Sequence, residues 1–208
     1  MTIATIDTVR PKLVRGRGGG GPASTRTVVA YGFWIFLLSD FILFAGLFAA
    51  YAVLSGNTAG GPTGAELFNL RSVFIETMCL LFSSYACGLG ALSAERRRVD
   101  HFYISAVFTF ALGAAFLFIE ISEFAGMVSR GAGPSRSAFL SAFFTLVGTH
   151  GAHVTLGLIW FIYMVAQVAV KGLRPHVLRR LLCFSLFWHA LDIVWVGVFT
   201  LVYLTGVQ

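Results

Sequence analysis

Apolar residues in this chain gather in five long unbroken runs and do not alternate with polar ones. The runs cover approximately Val28 to Leu54, Ser72 to Ala94, Phe102 to Ser129, Ser137 to Val170 and Leu181 to Gly206, each ended by turn-forming residues or charge. A helix needs about 20 apolar residues to cross a bilayer core, so the pattern predicts an all-α integral membrane bundle of five transmembrane helices. Barrel strands would alternate over segments of about ten residues, and none do. One membrane domain, 28–208, is therefore preceded by a segment of different character, 1–27. There "RPKLVRGRGGGGPAS" is basic and Gly-rich with no periodic apolar face, the composition of a disordered tail.

Composition supports the membrane reading. Of 208 residues, 57% are hydrophobic and only 12% charged, where soluble domains carry about 25% charged residues. That much apolar surface needs lipid to face. The formal charge of +6 would fit nucleic acid, but its distribution does not. Arg10, Lys12, Arg15, Arg17 and Arg26 precede the first span, Arg96, Arg97 and Arg98 lie between the second and third, and Lys171, Arg174, Arg179 and Arg180 between the fourth and fifth. Only Arg71, Arg130 and Arg136 belong to the other loops. With five crossings this puts the N-terminus in the cytoplasm and the C-terminus outside, in the periplasm of a bacterium. The basic residues are a topology signal, and no nucleic-acid partner is expected. Cys79, Cys87 and Cys183 form no CxxC pair and all fall inside spans, which gives neither a zinc site nor a disulfide framework.

Ionisable groups at bilayer depth are costly and mark candidate functional positions. They are Asp40, Glu76, Glu120, Glu123, His150, His153, His189 and Asp192. In "VGTHGAHVTLGLIW" and "WHALDIVW" the pairs His150/His153 and His189/Asp192 are three residues apart, hence on one helix face. Their two spans are joined by a short loop, so a buried histidine and carboxylate network of His150, His153, His189 and Asp192 is geometrically easy. Three histidines could also ligate a metal, or two of them a haem, whereas a carboxylate-bridged di-iron site would want Glu-x-x-His motifs, which are absent. Metal or haem binding, proton handling and polar packing stay open on the residues alone. Ala45 with Ala49, Gly46 with Ala50, Thr109 with Gly113 and Gly148 with Ala152 have the small-xxx-small spacing that brings membrane helices close.

Four ordered motifs narrow the choice. "GTHGAHVTLGLIW" resembles the G-x-H-G-x-H-V segment of subunit III of haem-copper terminal oxidases, and "WHALDIVWVGVFTLVYLTG" its W-H-x-x-D-x-V-W ending; "EISEF" resembles its S-E-[YF] stretch and "LLSDFILFAGLFAAY" its first shared helix. The resemblance covers about residues 31 to 206. "GNTAGGPTGAELF", "GAGPSRSAFLSAFF" and five crossings in place of seven resemble the cytochrome bo-type ubiquinol oxidase branch, with the cytochrome c oxidase branch as the alternative.

The resemblance implies a non-redox accessory subunit of a proton-pumping complex in the bacterial inner membrane, with no catalytic centre and no metal of its own. Haems and copper are expected in the partner subunit I, which this chain would contact directly, with subunits II and IV in the same complex and phospholipid bound. It implies that Asp40 takes the place of the family's membrane-buried carboxylate, often Glu. Candidate lipid or interhelical contacts are Asp40, Glu76, Glu120, Glu123, Trp188 and Trp195. A stand-alone haem or metal enzyme and an ion carrier are the rival classes.

Overall fold

The computed structural model describes residues 24–206, so the tail expected over 1–27 lies, up to residue 23, outside the described residues. Ser24 Oγ accepts the Thr27 backbone N–H at 3.2 Å, an N-cap that satisfies one orphan donor, and the first helix α1 (Thr25–Leu54) begins there. After a short turn of helix, α2 (Gly64–Leu67), come α3 (Leu70–Glu95), α4 (Val99–Ser129), α5 (Ala138–Lys171) and α6 (Pro175–Val198), the last continued by a π-helical segment, Phe199–Leu204. Five of these helices, α1, α3, α4, α5 and the α6 continuum, are long and apolar enough to cross a membrane. The protein is an all-α, multi-pass membrane protein.

The fifth span starts six residues before the Leu181 read from hydropathy. Pro175 occupies the first helical position, where its missing N–H costs nothing. The polar-looking turn that follows is amphipathic: Val177 is fully buried and Arg180 donates to Gln167 Oε1 of α5 at 3.1 Å. The connection into α6 is short because Gly172 ends α5 at φ 67°, a positive φ that glycine adopts without strain. Between α3 and α4 it is Arg97, the residue after the Arg96 cap, that takes a positive φ, 59°. At the same end of the bundle Arg26 of α1 pairs with Glu95 of α3.

α6 lies against α1, α3 and α5, while α4 closes the bundle between α3 and α5. α1 is the peripheral member. Its buried residues are Leu37, Phe44 and Tyr51, a single seam at seven-residue spacing, and Tyr31, Trp34, Ile35 and Ile42 point outward. The core centres on α5 and α6, where Phe143, Phe184, Trp188 and Trp195 are closed off from the surface.

Trp188 fits because two helices present no side chain to it. A β-carbon at Gly113 of α4 would lie 3.0 Å from Trp188 Cζ2, and one at Gly157 of α5 2.9 Å from Cζ3. The indole is held in a slot between the two backbones. Gly157→Val is therefore expected to lower stability by about 1–3 kcal/mol through overpacking, whereas Gly46→Ala, with nothing within 4 Å of the added carbon, should not; thermal unfolding of the detergent-solubilised chain measures both.

Candidate functional site

Polar groups inside the bundle sort into three sets. The first is structural. Trp188 Nε1 donates to Ser83 Oγ of α3 at 3.1 Å, and Ser83 in turn donates to the Thr109 carbonyl of α4 at 2.9 Å. Two turns further along, Trp195 Nε1 donates to Thr77 Oγ1 at 3.0 Å, whose own proton goes to the Val73 carbonyl at 2.8 Å. Both indoles thus find the partner that a buried N–H requires.

The second set holds the histidines and Asp192, and it departs from the expected network. Among the described residues no hydrogen bond joins His150, His153, His189 and Asp192 to one another. His153 Nδ1 donates to the Thr149 carbonyl at 2.8 Å and His189 Nδ1 to the Ser185 carbonyl at 2.7 Å; in each case the acceptor is four residues back on the same helix. The two helices meet through aromatic rings in place of these groups. His150, 0% exposed, stands in a box of Phe44, Phe116 and Trp195, with ring centroids at 6.3, 5.7 and 5.1 Å, and neither ring nitrogen has a hydrogen-bond partner. Trp195 fills the space through which His150 would reach α6. Asp192 lies within Coulombic reach of His189 and beside Ser84 of α3, so this pair faces α3 and not α5. His189 rests on Gly88, where a β-carbon would be 3.6 Å from Nε2. Asp40 is half-buried at the middle of α1, bordering a small gap with Phe41, Phe187, Ala190 and Val194. It is brought together with none of the histidines.

The third set is acidic. Glu76 of α3 is 0% exposed and Glu120 of α4 4%, with Glu120 and Glu123 both within Coulombic reach of Glu76. Glu120 lies flat against α5, where a β-carbon at Gly151 would be only 2.7 Å from Oε1. Glu123 lines a groove with Asn69, Ser72 and Arg130 at the end of the bundle remote from the basic loops. Among the described residues, no group of three or more His, Cys, Asp or Glu is arranged to hold a metal ion.

A family model described as cytochrome c oxidase subunit III matches residues 17–207. The chain belongs to the cytochrome c oxidase subunit III family. Among its relatives, the cytochrome bo(3) ubiquinol oxidase subunit 3 of Pseudomonas aeruginosa is 52% identical over 176 residues, 85% of this chain and 84% of the relative. The protein of the same description from Buchnera aphidicola subsp. Acyrthosiphon pisum is 43% identical over 182 residues, 88% and 89% of the two chains. The quinol oxidase subunit 3 of Bacillus subtilis is 45% identical over 175 residues, 84% and 86%.

In this subunit III chain the motif histidines are placed by aromatic packing and by their own helices. Sequence reading singled out Trp188 and Trp195 but missed their partners Ser83 and Thr77, and took Thr109 only as a small residue spaced with Gly113, because a hydroxyl in an apolar run looks like any other small residue. Gly151 was equally hidden: its neighbour Gly148 has the small-xxx-small spacing, yet it is Gly151 that admits Glu120. Ser83→Ala should cost about 1–3 kcal/mol, since it leaves a buried indole N–H unpaired. In a Trp188→Phe background the same change should cost less, and a double-mutant cycle on thermal unfolding measures the difference.

Proposed function

We propose that this chain is the third, non-redox subunit of a bo3-type ubiquinol oxidase in the bacterial inner membrane. The observation that carries this reading is the identity with the Pseudomonas aeruginosa subunit across 85% of the chain. It is supported by the fit of the residues to a packing role, with His150 enclosed by carbon rings and the tryptophans bonded to α3. The electron chemistry, oxidation of quinol and reduction of oxygen to water, then belongs to the haem- and copper-bearing subunit I, against which this chain packs, with subunits II and IV in the same assembly.

Its own contribution is mechanical. A bundle whose peripheral helix α1 buries only three of its 30 residues leaves a broad apolar face, including Trp34, Ile35 and Ile42, for subunit I or lipid to cover. Inside a membrane such a face is covered by lipid or by the helices of another chain. By covering it the complex gains stability, and the proton-entry region of subunit I is supported from its flank. Phospholipid fills what the protein partners leave.

Purification through a tag on this chain is expected to bring down a large subunit with haem and copper and with quinol oxidase activity. The isolated chain should carry no haem or copper in stoichiometric amount, and His150→Phe should leave the optical spectrum of the complex unchanged; loss of a haem band in that variant would overturn the accessory reading. On this reading the C-terminus is periplasmic, as the placement of the basic residues favours, so alkaline phosphatase fused after Gln208 should be active, and activity of a cytoplasm-only reporter at that position would reverse the topology.

A further inference from the structure

The Glu76, Glu120 and Glu123 set is not explained by packing. Both carboxyl oxygens of Glu76, both of Glu120 and Oε1 of Glu123 are buried without a hydrogen-bond partner in the structure. Burying a polar oxygen unpaired is costly, and none of these five accepts a hydrogen bond from a neighbouring helix. The groups facing the set are Cys79 on its own helix, Tyr203 of the π-helical segment with Tyr51 of α1 behind it, the Gly151 backbone of α5, and Ser72 and Arg130 at the mouth. Arg130 does not reach inward: its Nε donates to the Gly126 carbonyl at 3.0 Å.

We propose that these three carboxyl groups are the inner end of a water-filled inlet that opens between α3 and α4 at the end of the membrane remote from the basic loops. The mouth is the groove lined by Asn69, Ser72, Ser122, Glu123 and Arg130, a cavity of ≈ 580 Å³, ample for a chain of waters at about 30 Å³ each. Glu123 belongs to both the groove and the acidic set, and Glu120 follows one turn deeper on the same face of α4. From Arg130 to Glu120 the route runs roughly 15 Å along the helix at 1.5 Å per residue. A buried water needs two to four polar partners, and the carboxyl oxygens with the Tyr203 hydroxyl supply them. The missing side chain at Gly151 gives room to the Glu120 carboxyl itself, because any β-carbon there would displace it. The inlet brings exchangeable protons from the aqueous phase to acids well inside the span. It requires nothing of the partner subunits and goes beyond the accessory role.

Radiolytic hydroxyl-radical footprinting of the intact wild-type complex tests it, since bound water generates oxidation at adjacent side chains. Tyr203 and Trp188 are both 1% exposed, but only Tyr203 borders the inlet. Oxidation of Tyr203 with Trp188 spared is expected; protection of both would overturn the proposal. In a second experiment, Glu120→Cys in the complex should react with a small hydrophilic thiol reagent above the wild-type background and faster than Phe118→Cys, which is 75% exposed on the outer surface of the same helix. Adding Ser72→Trp at the mouth should abolish that advantage. A Glu120→Cys rate no higher than Phe118→Cys, or one indifferent to Ser72→Trp, would refute the inlet, and if the variant fails to assemble the footprint of the wild type decides alone.

Discussion

The packing of this bundle depends on two indole N–H groups on α6 that must find acceptors where there is no water. Trp188 and Trp195 find them on α3, in Ser83 and Thr77, and each hydroxyl passes its own proton to a backbone carbonyl. Because a tryptophan with an unpaired N–H would be expensive at this depth, the two bonds set the rotation of α6 about its axis. With that rotation fixed, Phe187, Ala190 and Val194 turn toward α1, and His189 and Asp192 toward α3. Gly113 and Gly157 complete the arrangement by letting two backbones touch the Trp188 ring.

The same constraint accounts for the behaviour of the motif histidines. An imidazole in an apolar helix satisfies one nitrogen most cheaply on the carbonyl four residues back, as His153 and His189 do. His150 has no such bond and is surrounded by rings, an environment that holds its position by shape. Membership of the subunit III family gives these residues a shared motif, and the geometry gives them different physical tasks.

The acidic set stands apart because its members point inward from α3 and α4 and five of their carboxyl oxygens are buried without a hydrogen-bond partner. Glu120 and Glu123 were legible as a pair in "EISEF", and the helical period puts them on one face. That Glu76 joins them, that Gly151 is the surface against which Glu120 rests, and that the polar groove opens at Glu123 are facts of helix rotation and contact, which a one-dimensional pattern does not contain.

By itself the chain of residues determined how many times it crosses the membrane, the all-helical class and the positions of the ionisable side chains within each span. These follow from hydropathy and the 3.6-residue period, which act locally and need no partner helix. It also carried the four motifs that place it in its family. Helix starts were less secure: the amphipathic first turn of α6 escaped hydropathy because Arg179 and Arg180 mask the buried Val177. Only the tertiary structure decided which polar groups meet. His150 and Asp192 are each well placed in their own helices, yet α5 and α6 turn aromatic faces toward one another, and the helix rotations that the Trp–hydroxyl bonds and the glycine slot hold in place keep the polar groups in the separate sets observed.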